Sequence, residues 1–374
     1  MIFREVCFPK LISLLIIIIF NNACNQGTTD NLIPNDKFLI NEDPNGYSLY
    51  GFGENQVNEF GNTTLGFFNK SKFLTSNVIK VLTYGNSTAI IKSDSSFWIS
   101  ENAEFKKLIE KVKDAAISST NIYFIDIQNK LYGLGSNSRG QLGRDNYGGN
   151  FSNPKYIDSD VISVSAGLDY LMYIKDDFTL WGLGDNFGNQ IHPEFVADFI
   201  YPQKVMENIK KVRCSNYLTL FLDKNNNMYG VGDNYNNRFG IKDMKDNSSI
   251  KEPFLIKGDI NNFAIGDGFL LFVDNKGILY GCGINSHGQL NSKPSEHYYR
   301  EPISPKIITE NVANIAAGNS HSLVLKKDGS LWSCGKNSSG QLGDGTFFQS
   351  NKLIRIDSKV KNIFSSSEHS LILK

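Results

Sequence analysis

The side chains of this chain that are able to do chemistry are few and scattered. Its five histidines are His192, His287, His297, His321 and His369. None stands in a His-Glu-x-x-His arrangement, no Ser-His-Asp set is legible, and no Cys-x-x-Cys accompanies them, so neither zinc chemistry nor acyl transfer is indicated. His321 and His369 occupy one position of a repeated hairpin where other copies carry Tyr170, Tyr217 or Phe269. A place interchangeable with an aromatic ring is one that fills space. His192 replaces a turn glycine and His287 sits on a turn. Asp176-Asp177, Asp185-Asn186 and Asp233-Asn234 resemble calcium loops in composition, but they recur at hairpin phase, as ordinary turn residues do. The Gly-x-Gly strings recur at repeat phase too, and read as bends rather than as nucleotide fingerprints. The expectation is a non-enzyme with no catalytic residue, no metal and no cofactor.

The cysteines point the same way. Of five, Cys7 and Cys24 lie near the N-terminus, leaving Cys214, Cys282 and Cys334, an odd number that argues against a disulfide framework. Cys282 and Cys334 hold the same repeat position. Equivalent points on neighbouring repeats stand further apart than the roughly 7 Å between Cα atoms that a disulfide bridges. Buried, unreactive thiols are expected.

What positions these residues is a repeat. LYGFGENQVNEFG from Leu49 recurs in related form at Leu131, Leu180, Met228, Leu279 and Leu331, at intervals of 82, 49, 48, 51 and 52 residues. A period near 50 with β-type composition denotes a propeller or solenoid. The second Gly of the motif (Gly53, Gly135, Gly184, Gly232, Gly283, Gly335) and the Asn two residues on (Asn55, Asn137, Asn186, Asn234, Asn285, Asn337) never vary. Three further on stands only Gly or Asn, which requires φ > 0. Two beyond that is always an apolar residue that plugs the turn into the core. Upstream of each copy lies a hairpin, clearest in HSLVLKKDGSLWSCG from His321, with Asp328-Gly329 in the turn. TAIIKSDSSFWIS from Thr88 is a degenerate copy without the Gly/Asn turn, and it fills the 82-residue gap. Glu104–Asp114 is expected there as a short helix or strand. EHSLILK at the C-terminus begins a hairpin and stops; its partner is expected to be the segment around Tyr47–Gly53.

The succession of His-Ser-Leu, Asp-Gly, Leu-Trp/Tyr and Gly-x-Asn-x-x-Gly-Gln-Leu-Gly resembles the regulator-of-chromosome-condensation repeat. The resemblance covers roughly Asp43 to Lys374 and is weakest around Phe97. It implies an all-β fold: a seven-bladed β-propeller of four-stranded antiparallel blades, its ring closed by N- and C-terminal strands sharing one blade. The domain is expected to run over residues 43–374, with a degenerate second blade at about 62–116. The family's common theme, protein binding on a propeller face, is implied as well.

The N-terminus addresses the compartment. Arg4 and Lys10 precede Leu11–Phe20, nine apolar residues and Ser13, too short to span a bilayer and fitting for a secretory signal. Asn21-Asn22-Ala23-Cys24 follows and resembles a bacterial lipobox, although Asn21 replaces the usual Leu. The expectation is a signal peptide over residues 1–23, a lipidated Cys24, and a polar tether over residues 24–42. That describes a lipid-anchored protein of the bacterial cell envelope, on the outer membrane or cell surface rather than the inner membrane. Without residues 1–23 the chain has 36 Lys+Arg and 37 Asp+Glu, a net of −1. A neutral chain without basic runs is a poor nucleic-acid binder.

Function is therefore expected on a surface. The connections that follow the Gly/Asn turns carry nine aromatics, Tyr147, Phe151, Phe195, Phe199, Tyr201, Tyr298, Tyr299, Phe347 and Phe348. They form a candidate face for a protein or other macromolecular partner. Two narrower readings stand beside this one. The first is an enzyme inhibitor, like the secreted β-lactamase-inhibiting propellers the family resemblance brings in. The second is an envelope enzyme working through the central channel.

Overall fold

The computed structural model describes residues 45–374 apart from 57–58, 62–64, 102–103, 194–197, 235–236, 242–248 and 295–302. The expected signal peptide over residues 1–23, Cys24, the expected tether over residues 24–42, Phe195, His297, Tyr298 and Tyr299 lie outside the described residues.

Alternating apolar segments and turn residues at hairpin spacing give antiparallel strands. Among the described residues, five sheets have four strands each in simple up-and-down order and one has seven. The seven-stranded sheet is two blades joined by one continuous strand, Gly66–Tyr84. Its first half pairs with Tyr47–Asn55, up to Tyr47 opposite Val78, and its second half, from Val78 onward, pairs with Ser87–Lys92. Blade one consists of Asn362–Ser366, His369–Leu373, Tyr47–Asn55 and the first half of the long strand. Blade two takes the second half, then Ser87–Lys92, Phe97–Glu101 and Glu104–Ile109. Blades three to seven begin with Val112–Ile117, Val161–Ala166, Ile209–Ser215, Ile260–Ile265 and Val312–Ala317.

Each passage from an outer strand to the next inner strand turns on one left-handed residue. These are Asn77, Lys111, Asp160, Asn208, Asp259, Asn311 and Lys359, with φ between 57° and 64°. From Lys111 onward, the next amide donates to the hairpin turn of the blade just completed, as in Val161 to Asn129 O at 2.9 Å and Val312 to Gly277 O at 2.9 Å. Seven apolar clusters fill the seven seams. Leu371, Leu373, Val78 and Ile90 meet between blades one and two, and Leu323, Leu325, Ile363 and Ile372 between seven and one. The ring is thus continuous, as a closed propeller requires.

Closure follows the expected pattern. Leu49 to Gly53 pair with Leu373 to His369, and Ser48 and Lys374 exchange backbone bonds of 3.0 Å.

Blade two is narrower than the 62–116 expected. Residues 66–75 belong to blade one and Val112–Ile117 opens blade three, because the break falls at left-handed Lys111. Glu104–Ile109 is a strand, opposite Phe97–Glu101. Its Phe105 packs against the cluster between blades one and two, and its Leu108 and Ile109 against the one between two and three. This burial on a sheet outweighs the helical pattern of the sequence.

A candidate partner-binding face

The motif turns are built by the invariant residues. Each Asn side chain accepts the amide of the apolar plug five residues on: Asn55 from Phe60 at 2.9 Å, Asn137 from Leu142 at 2.7 Å, Asn186 from Ile191 at 2.9 Å. Asn234, Asn285 and Asn337 do the same for Phe239, Leu290 and Leu342 at 3.1, 2.8 and 2.9 Å. A shorter side chain does not reach, and a carboxylate lacks the amide hydrogens that Asn137 and Asn337 donate onward. The second Gly has φ between 94° and 112° in all six copies. A Cβ there would also stand 2.0 to 2.5 Å from a carbonyl in the turn between the blade's first two strands, Ser320 O at 2.4 Å for Gly335. That close approach brings both turns of a blade to one face, where Lys336 N–H donates to Ser320 O at 2.9 Å and Asp185 N–H to Asp169 O at 2.9 Å.

On this face the proposed aromatics separate into exposed and buried. Phe348 is 81% and Phe347 47% exposed, while Tyr147 and Tyr201 are about half exposed. The Phe347–Phe348 turn is nonetheless firmly held. The Asn337 side-chain amide donates to Thr346 O and Phe348 O, both at 3.1 Å, and Asp344 accepts from the Thr346 amide at 2.9 Å. Gly345 and Asn69 of the long strand exchange bonds of 2.7 and 2.9 Å. Tyr201 receives an Arg144 guanidinium hydrogen bond from the neighbouring blade.

Phe199 is a correction: it is buried, in the seam between blades four and five. Phe151 is half-buried against the seam between blades three and four. Both are strand residues, opposite Gly184 and Gly135, and with Phe68 opposite Gly53 they cover the motif glycines. Phe187 and Tyr217 are exposed on the same face and were not anticipated. Phe187 follows the invariant Asn, where other described copies have Gln56, Ser138, Ser286 and Ser338. That contrast is the signal that marks it. Tyr217 is not the equivalent of His321, as the repeat alignment suggested. Leu218 pairs with Gly232 just as His321 pairs with Gly335, and Tyr217 stands in the turn before it.

The channel is lined by the first strand of each blade. Where these strands bulge, a polar side chain follows: Lys80 with Asp114, and a chain in which Asn262 donates to Asn314 at 2.6 Å and Asn314 to Asn362 at 2.5 Å. At the mouth on the turn face, Tyr84 of blade two reaches Asn216 of blade five, donating to its side-chain oxygen at 3.1 Å. Burial and the nearby Asp169 carboxylate push the Tyr84 phenol far above its usual range, so it remains a donor.

The remaining reactive groups are inward. His321 is buried and accepts or donates at Ser370 Oγ, 2.9 Å away in the next blade, and His369 packs edge-on against Phe60. Burial lowers their pKa values to about 3 and about 4, so both rings are neutral. Cys214, Cys282 and Cys334 are free thiols, each pushed up to about 12 by burial, and are unreactive at neutral pH. Among the described residues no group of three or more His, Cys, Asp or Glu is placed to hold a metal. No helix among them is long and apolar enough to cross a membrane.

A closed ring of seven blades with Gly/Asn turns on one face defines an RCC1-type propeller. The regulator of chromosome condensation (RCC1) repeat family matches this chain at residues 312–341 and 328–373. It is similar to the probable E3 ubiquitin-protein ligase HERC6 of Homo sapiens, 28% identical over 65% of this chain and 25% of that one. To the regulator of chromosome condensation of Xenopus laevis it is 24% identical over 64% of this chain and 62% of that one. It thus spans a quarter of the first relative's length and under two thirds of the second's. Prp20p of Saccharomyces cerevisiae, a structure described for its binding to Gsp1p and histones, superposes with a TM-score of 0.78 over 92% of this chain and 96% of that one, at 14% identity.

Proposed function

We propose that this protein is a non-catalytic, lipid-anchored propeller of the bacterial cell envelope that holds a protein partner on its turn face. The observation that carries the reading is the turn Asp344–Phe348: two exposed Phe side chains on a backbone fixed by Asn337 and by the neighbouring blade. A rigid aromatic anchor loses little conformational entropy on binding, which is the property of interface hot spots. The protein-binding relative Prp20p supports a proteinaceous partner. The N-terminal apolar run and Cys24 support the anchor.

The test is a pair of variants. Phe347→Ala with Phe348→Ala is expected to leave the melting temperature unchanged and to weaken partner capture by about 2 kcal/mol or more for the dominant residue. Loss of the fold, with capture intact on the folded fraction, overturns the face. Cys24→Ser is expected to abolish acyl labelling and release the protein from membranes; retention of the variant overturns the anchor.

A further inference from the structure

The outer strands of this propeller treat one backbone position with unusual care. Six of the seven bulge where they pass the motif glycines, and the residue just before the ladder resumes is Pro154, Pro202, Pro253 and Pro305 in blades three to six. Proline has no N–H, so the nitrogen at this register does not serve the ladder. In blade seven the residue is Leu353, and its amide donates to Asn291 Oδ1 of blade six's turn at 2.8 Å. In blade one the residue is Ser71, and the turn residue equivalent to Asn291 is Gly343, which has no side chain to offer. Blade one is therefore the bulged blade whose edge amide is neither deleted nor capped by the turn beside it.

The same edge carries exposed apolar side chains. Leu65, Phe67 and Phe73 are exposed along it, and the Asn69–Gly345 bonds bring the Phe347–Phe348 turn to its start. Lys70 and Lys72, both exposed, flank Ser71. These lysines decide between occupants. A second copy pairing antiparallel about Ser71 would set Lys70 opposite the other chain's Lys72 twice over, a like-charge arrangement that destabilises a ladder.

We propose that the first half of the long strand seats an extended, acidic segment of a partner protein. A backbone carbonyl of that segment accepts the Ser71 amide, its carboxylates face Lys70 and Lys72, and an apolar side chain rests on Phe67, Phe347 and Phe348. This rests on the reading of the Phe347–Phe348 turn as a partner-binding feature and adds the partner's chemistry.

The test uses a phage-displayed library of random dodecapeptides selected on the full chain. Enriched peptides are expected to combine Asp or Glu with an aromatic or aliphatic residue, and to protect residues 66–75 from hydrogen exchange. Ser71→Pro, which installs the residue four other blades already carry, is expected to keep the melting temperature and weaken these peptides about tenfold. Should Ser71→Pro fail to fold, Lys70→Glu with Lys72→Glu is expected to give the same loss. Enrichment of basic peptides or of none, protection elsewhere, or undiminished binding by Ser71→Pro overturns the proposal. Peptides lost by the Phe347/Phe348 double alanine variant but kept by Ser71→Pro sink the edge and leave the turn face standing. The reverse pattern sinks the turn face and leaves the edge.

Discussion

Replacing His369 with Phe is expected to make this protein more stable in acid. His369 is fully buried, neither ring nitrogen has a hydrogen-bond partner, and its folded pKa lies at about 4. The unfolded chain binds the proton near pH 6.5. Above that pH the ring is neutral in both states and costs nothing by linkage. As pH falls from about 6.5 towards about 4 the unfolded state is protonated first, and stability drops. At pH 4.5 the loss is roughly 2.5 kcal/mol, from 1.36 kcal/mol per unit with saturation near the folded pKa. Phe269 fills the equivalent place in blade six, fully buried, so the ring fits the seam. Urea unfolding of the two proteins at pH 7.5 and 4.5 measures the difference. The variant is expected to lose about 2.5 kcal/mol less than the parent between the two pH values, and to gain about 1 to 3 kcal/mol at pH 7.5 from removing unpaired ring nitrogens. Equal losses in the two proteins would show that the ring is protonated in the folded state or is not buried.

Removing Glu368–Lys374 takes away the strand that closes the ring together with buried Leu371, Ile372 and Leu373. At about 2 to 5 kcal/mol for each buried aliphatic, the loss approaches the whole stability of a typical domain; an unchanged melting temperature would show that the ring is closed elsewhere. Asn337→Ala leaves the buried Leu342 amide without its acceptor and frees the Phe347–Phe348 turn. A cost of about 1 to 3 kcal/mol and faster hydrogen exchange over residues 342–348 are expected, and slow exchange in the variant would refute the role given to Asn337.

The ring was legible because a repeat exposes its own constraints. Gly140 and Gly340 could be assigned φ > 0 from comparison of the copies alone, since a position that accepts only Gly or Asn has a backbone reason. Closure was legible from a hairpin that begins at Glu368 and has no second half. The nine-aromatic face was only partly so. Phe199 and Phe151 follow the turn in sequence just as Tyr147 does, yet they lie opposite a glycine across a ladder, and that pairing exists only once the register is known. Tyr217 was set one residue out of phase because blade five carries Leu218, not an aromatic, at the position between blades. Ser71 was invisible for the same reason as Phe199: its importance comes from Pro154, Pro202, Pro253, Pro305 and Asn291, which align with it only through the bulges.

The long strand Gly66–Tyr84 also bears on how the molecule carries load. A chain pulled from its N-terminal side transmits tension into Tyr47–Asn55, which is bonded along one edge to the long strand and along the other to His369–Leu373. Ladder bonds lie across the strand axis, so tension along Tyr47–Asn55 loads both rows together in shear instead of opening them one by one. The long strand carries the force on into blade two without an intervening loop, spreading it over two blades. The joint where the ring's two ends meet is thereby arranged to resist a tug in the direction from which an N-terminal tether would deliver it.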